Sequence, residues 1–280
     1  MNSKQNFLGS IFIICLTSLT ACNFEIPYKI PFLGSDYGAV TENETVTPKE
    51  DVQGKNEDNE EQIDEDFLLE SSYFNVVKQV DNRPTITNPE NVLALVNKEF
   101  ALPVDYEPTD LVAPDVPFSF GDQDVSQRYI REEAAVALEE LFESAQNEGI
   151  ELFAVSGYRS YERQQGIFNN EKETKGEEEA LEAVALPGQS EHQTGLAMDV
   201  TSRSVNLEIT QEFGETIEGI WIKENAHLFG FIIRYQKGNE ELTGYQYEPW
   251  HLRYVGKEQA KVIFEHGLTL EEYFNKVKKI

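Results

Sequence analysis

The chain has 280 residues, with 23 Lys and Arg against 51 Asp and Glu, a formal net charge of −28 and a pI near 4.4. That excess of acid excludes nucleic-acid binding, which needs clustered Lys and Arg against phosphate. It also excludes electrostatic docking on anionic lipid. Apolar residues at 40% and aromatics at 11% suffice for one sizeable core, and with only four His and two Cys any His pair at ligand spacing carries information.

Residues 1–21 are expected to be a removable leader. Lys4 precedes the apolar run Phe7 to Leu19, and the small residues Thr20 and Ala21 precede Cys22. This is the layout of a secretory signal peptide. Leu19-Thr20-Ala21-Cys22 resembles the lipobox of bacterial lipoproteins, which implies that Cys22 becomes the lipidated first residue. The alternative is ordinary signal cleavage with Cys22 a bystander. With Cys15 removed, one Cys remains and no internal disulfide can form.

Residues 41–70 carry twelve acids and two lysines. Such a stretch buries too little apolar surface to offset its chain entropy. Residues 22–72 are therefore expected to form a disordered acidic tether, and residues 73–280 the folded domain.

Within that domain, residues 75–125 are Pro-rich and read as extended wrapping chain around one short helix, Pro89 to Asn97. The pattern next predicts a long helix from Ser126 to Glu148. Tyr129/Ile130, Ala134, Ala137/Leu138, Leu141/Phe142 and Ala145 form its apolar stripe, Ser126 its N-cap and Gly149 the residue just past its end. Strands are predicted at Glu151 to Val155, Leu196 to Thr201, Phe231 to Tyr235 and Trp250 to Val255. Helices are predicted at Ser160 to Lys172, Glu215 to Leu228, Lys257 to His266 and Thr269 to Lys276. The stretch from Glu171 to Gly188, with its run of three Glu, reads as a loop. A long helix followed by mixed strands and helices points to an α+β fold with a mostly antiparallel sheet.

Two histidines stand in informative contexts. His192 lies in Ser190-Glu191-His192-Gln193-Thr194-Gly195-Leu196-Ala197-Met198-Asp199, and His251 closes Glu248-Pro249-Trp250-His251. A catalytic zinc site needs three protein ligands and an open position. His192, Asp199 and His251 could supply two imidazoles and one carboxylate. Gly195 suits a turn that places His192 before a strand carrying Asp199. Glu248 is the candidate general base, standing beside the metal without occupying it, with Pro249 breaking the strand alternation. Taken singly, each pairing also fits chance spacing or an ordinary strand end. His227 and His266 match no such pattern and read as surface or helix-end histidines.

Ser190-x-His192-x2-Gly195-x-Ala197-x-Asp199, followed by Glu248-Pro249-Trp250-His251, resembles the signature of the zinc D-alanyl-D-alanine carboxypeptidases of the VanY type. The wider group includes D-Ala-D-Ala dipeptidases, L,D-carboxypeptidases of wall tetrapeptides and the hedgehog signalling domain. Ser156-Gly157-Tyr158-Arg159-Ser160 resembles that family's substrate-side loop. Leu95-Val96-Asn97-Lys98, Leu102-Pro103 and Tyr106-Glu107-Pro108-Thr109-Asp110-Leu111-Val112 resemble its lead-in.

The resemblance covers roughly residues 90–275 and implies a small α+β domain whose antiparallel sheet holds one zinc ion. It implies His192, Asp199 and His251 as ligands and Glu248 as the base that takes a proton from water. It also implies Arg159 as partner of the scissile carbonyl or the terminal carboxylate, and Gln165 and Ser190 as substrate hydrogen-bonders. For Arg159 the alternative is a surface ion pair in an acid-rich chain. The implied substrate is the D-Ala terminus of peptidoglycan stem peptides. The expected setting is a monomer, lipid-anchored at the outer face of the cell membrane and facing the wall. An L,D-carboxypeptidase of tetrapeptides and an inactive metal-holding wall-binding module remain alternatives; the presence of Glu248 favours an enzyme over the latter.

Overall fold

In the computed structural model, residues 64–280 are described; the leader, Cys22 and the acidic chain up to residue 63 lie outside the described residues. The centre of the domain is a four-stranded antiparallel sheet in the spatial order β6 (Phe153–Ser156), β7 (Ala197–Thr201), β9 (Glu248–Tyr254), β8 (Phe231–Tyr235). Alternation along these strands divides the sheet into two faces. Met198, Val200, Leu252 and Phe231 pack with Ala134, Leu138, Leu141 and Ala145 of α1 (Glu132–Asn147) and with Trp221 and Ile222 of α4 (Ile217–Asn225) in the larger core cluster. Asp199 and His251 stand between those core residues in sequence, paired directly across β7 and β9.

A second apolar cluster joins Ile232 and Val255 to α6 (Lys257–Glu265) and α7 (Leu270–Lys276) through Ala260, Ile263, Leu270 and Tyr273, and it extends to Leu69 and Leu93. The α+β class and the antiparallel sheet are thus as expected. No helix among the described residues is long and apolar enough to cross a membrane.

The long helix starts later than its apolar stripe suggested. Ser126–Arg128 is a single 3₁₀ turn, and Ile130–Arg131 is a short strand (β5) paired with Leu111–Val112 (β4). Ser126 therefore caps no α-helix. The backbone of this stretch is claimed by neighbours: Arg131 N–H donates to the Gly195 carbonyl at 2.8 Å, and the Tyr129 carbonyl accepts from Tyr158 N–H at 2.6 Å. Gly149 does follow the helix end, in the left-handed region at φ +79°.

The helix expected from Pro89 to Asn97 is absent. Leu93, Ala94 and Val96 are all fully buried, which a single helix face would not achieve. The carbonyls of Val92 and Ala94 both accept from Arg253, and a helix would have used them internally. Nor is Glu171–Gly188 a loop. It completes α2 (Tyr161–Lys175), turns at Gly176 with φ +95°, and forms α3 (Glu177–Ala183). Three Glu in a first turn suit the positive end of a helix.

The domain also begins before residue 73. Leu68–Leu69 (β1) pairs in parallel with Lys278–Lys279 (β10), and Leu69 is 2% exposed. The tether cannot extend to residue 72, because burying Leu69 supplies what the acidic composition lacks.

Candidate metal centre

His192 lies on a 3₁₀ turn, Glu191–Thr194, that ends at Gly195 in the left-handed region, φ +68°. A side chain there would press on Leu111 and Arg131, 2.9 and 3.0 Å from its first carbon, so the turn requires Gly. The turn delivers the chain into β7, which carries Asp199 opposite His251. His192 and His251 stand edge to face with ring centroids 4.9 Å apart.

Hydrogen bonds fix which nitrogen each ring presents. His192 Nδ1–H donates to the Gly157 carbonyl at 2.8 Å, leaving Nε2 facing Asp199 Oδ2 at 3.4 Å. A side chain at residue 157 would overlap the Tyr129 carbonyl, so Gly157 is what lets that backbone come close. His251 Nε2 faces Glu191 Oε2 at 3.4 Å, and its Nδ1 faces Asp199 Oδ1 at 3.0 Å.

One atom from each of His192, Asp199 and His251 lies within 4.8 Å of the others, and all three residues are buried. Two imidazoles and a carboxylate converge there, a set that could hold a cation. Two imidazoles and one carboxylate suit zinc. Burial and the nearby Arg159 push His192 down to about 3. For His251 burial also favours the neutral form, but its bonds to Asp199 and Glu191 outweigh that and raise it to about 9.

Glu248 reaches the same space through an irregularity. Between β8 and β9 the register moves two residues along β8, Ile233 to Tyr235, but four along β9, Leu252 to Glu248. Regular alternation would have put Glu248 on the face of Trp250 and Leu252. The bulge, which contains Pro249, re-aims it. Its Oε2 is 3.9 Å from His251 Nδ1, beside the ligands but not among the three. Burial lifts its carboxyl to about 7, the range in which a general base works best at neutral pH. A second bulge, in β6 between Ala154 and Ser156, sets Ser156 opposite Asp199.

Arg159 follows β6. Its backbone N–H donates to the His192 carbonyl at 3.1 Å, which places it against the metal turn. Its Nη1 donates to Gln164 Oε1 at 2.9 Å and its Nη2 to Ser156 Oγ at 3.2 Å, while Nε is buried with no partner among the described residues. Among the described residues no carboxylate forms a close ion pair with it, although Asp199 and Glu248 lie near enough to act on its charge. Gln165 is exposed on α2 and does not line the cavity. Its neighbour Gln164, 1% exposed, does so, donating to the Ala185 carbonyl at 2.7 Å while holding Arg159. Ser190, 4% exposed, also lines the cavity, whose volume is about 220 Å³. Trp250, Ile209 and Tyr245 are also among its walls.

His227 stacks on Phe264 at 3.7 Å and His266 leans on Phe67 at 4.9 Å, both away from the cavity. The residues that reading the sequence missed are Gln164, Glu191, Arg234 and Arg253. The signal for Arg234 was a cation inside an otherwise apolar strand.

Residues 127–257 match the family described as VanY, D-alanyl-D-alanine carboxypeptidase. The chain is 62% identical over 215 residues to the putative carboxypeptidase YodJ of Bacillus subtilis, covering 77% of this chain and 78% of that one. Among solved structures it is similar to the LdcB LD-carboxypeptidase, at 63% identity and TM-score 0.75 over 76% of this chain and 100% of that one. It is also similar to the vancomycin-resistance D,D-pentapeptidase VanY of the VanB type in complex with Zn(II), at 35% identity and TM-score 0.54 over 66% and 99% of the two chains. A structure of VanYB in complex with D-alanine-D-alanine matches at 35% identity and TM-score 0.55 over 67% and 99%.

Proposed function

The chain belongs to the VanY family of carboxypeptidases, and from that premise we propose that it is a zinc-dependent enzyme removing the C-terminal D-Ala from peptidoglycan stem peptides. The observation that carries this reading is the buried set His192, Asp199 and His251 with Glu248 3.9 Å from the ligand nitrogen of His251. His192 Nε2, His251 Nδ1 and the Asp199 carboxylate would hold zinc, which would supply Lewis acidity toward water and a peptide carbonyl.

The chain's own groups do the rest. Glu248 takes a proton from water at its carboxylate and returns it to the leaving amine of D-Ala. Arg159 meets negative charge on the substrate, at the terminal carboxylate or at the oxygen of the scissile carbonyl. Its guanidinium is held by Gln164 and Ser156 before substrate arrives, so little order is lost on binding. Ser190 offers a hydroxyl in the cavity wall, beside Trp250 and Ile209.

We read the bond as D-Ala–D-Ala, as the family description and the VanYB complex suggest. A second reading, the bond before the terminal D-Ala of a tetrapeptide, is favoured by the 63% identity to the LdcB LD-carboxypeptidase. Digesting purified pentapeptide and tetrapeptide muropeptides with the zinc-loaded protein and weighing the products decides between them. Loss of one alanine from either supports the enzyme and assigns the bond; no loss from both overturns it.

We further propose that Cys22 carries a lipid anchor and the acidic chain a spacer, holding a monomeric domain off the membrane and toward the wall. Cys22→Ser should then leave the membrane fraction or fail to mature. A processed Cys22→Ser chain that stays with membranes would reject the anchor.

A further inference from the structure

We propose that Glu191 is the positioning residue of the metal centre: its carboxylate holds His251 in the orientation and tautomer that present Nδ1 to the ion. This rests on the metal reading above. Glu191 Oε2 lies 3.4 Å from His251 Nε2, on the ring edge opposite the one that faces Asp199. Its other oxygen is already taken, because Oε1 accepts from Arg234 Nε at 2.8 Å and from Arg253 Nη1 at 2.7 Å.

Those arginines are themselves fixed. Glu271 accepts from Arg234 at 2.9 and 2.6 Å, and the Val92 and Ala94 carbonyls accept from Arg253 at 2.9 Å each. The side chains of Glu191, Arg234 and Arg253 are all 0% exposed. A buried ionic cluster of this kind is a poor way to gain stability, since well-packed apolar residues often do as well or better. What it provides is a carboxylate that cannot move, with one free oxygen aimed at one imidazole N–H. Partners of this kind set the tautomer and direction of a ligating histidine.

Glu191→Gln separates this role from a structural one. The amide keeps the shape, but it cannot accept from both arginines and also from His251, because one end of the fork has become a donor. The proteins compared are wild type, Glu191→Gln and Ile263→Ala. The last loosens the second apolar cluster without touching Glu191 or a ligand. Zn(II) affinity is read by chelator competition, and the histidine tautomers by nitrogen-15 NMR of the zinc-loaded wild type.

The expected result is zinc binding weakened about 10- to 100-fold in Glu191→Gln and unchanged in Ile263→Ala, with His251 protonated at Nε2 in the wild type. Equal zinc affinity in Glu191→Gln and wild type overturns the proposal, as does a wild-type His251 protonated at Nδ1. If Glu191→Gln does not fold, the wild-type tautomer decides alone. A wild type that takes up no zinc overturns the metal reading itself, and this inference with it. Zinc uptake with an unaltered Glu191→Gln affinity removes only the inference.

Discussion

On its Nδ1 side, His251 faces a cluster in which acceptors meet acceptors: the Asp199 carboxylate, the His192 Nε2 lone pair and the Glu248 carboxylate. On its Nε2 side, it faces a cluster in which every charge is matched, with Glu191 and Glu271 between Arg234 and Arg253. Both are buried, yet only one is complete. The complete cluster can be built by folding alone, because each guanidinium brings the donors its carboxylate lacks. The other is one that a cation from outside could complete, beside Arg159, whose buried Nε has no partner among the described residues. The contrast locates reactivity: the protein holds one side of a single imidazole rigid so that the other can stay unsatisfied.

The largest expected effect breaks the open side. Glu248→Gln keeps shape and zinc but cannot take a proton, so kcat on a D-Ala-terminated stem peptide should fall by about 10³-fold or more. Near-normal turnover would remove Glu248 as the base. Next is Arg159→Lys, which keeps the charge but cannot hold both Gln164 and Ser156 while addressing an anion. We expect unchanged zinc content and a loss of about a hundredfold in kcat/KM, or ~2.7 kcal/mol of transition-state stabilisation. Wild-type activity in this variant would leave Arg159 without a catalytic part.

Metal removal sharpens the comparison further. Saturating zinc, at about a hundred times its Kd, adds about 2.7 kcal/mol to folding stability, so a chelator should lower the wild-type Tm by several degrees. His251→Ala should carry no stoichiometric zinc, and its Tm should ignore the chelator. A variant that still binds one zinc would strike His251 from the ligand set. The smallest effect belongs to the complete side. Thr269 caps α7, the helix that brings Glu271 to Arg234, in a reciprocal capping box with Glu272. Thr269→Ala should cost about 1 kcal/mol of stability and leave zinc affinity as it was. A matching loss of zinc affinity would show that the two clusters are less independent than their geometry implies.

Each half of the candidate set was legible because it is local, although the two halves meet only by the pairing of β7 with β9. A turn and a strand separate His192 from Asp199, and one strand end holds Glu248 and His251. The helices α6 and α7 were legible for the same reason: their stripes and caps lie within each element. What could not be read depends on distant partners. Pro89 to Asn97 has helix-like apolar spacing, but its carbonyls belong to Arg253, about 160 residues away. The phase of α2 was ambiguous because only Gln164 and Phe168 are buried on it, so no apolar stripe told Gln164 from Gln165. The start of the domain was hidden because Leu68–Leu69 finds its strand partner only at Lys278–Lys279.

That last pairing has a mechanical consequence. Ile280 N–H donates to the Leu69 carbonyl at 3.0 Å, and Ser71 N–H donates to the Ile280 carbonyl at 3.1 Å, so the first and last segments of the domain are laced side by side. A pull on the chain upstream of residue 64 loads this short lacing first, far along the chain from the metal-bearing strands, which gives the domain a sacrificial seam. The same adjacency makes the domain a natural candidate for circular permutation. A short linker could join the laced ends, and the chain could be reopened at the Asp81–Asn82 turn, between β2 (Val77–Val80) and β3 (Arg83–Ile86), without cutting any element that carries a ligand.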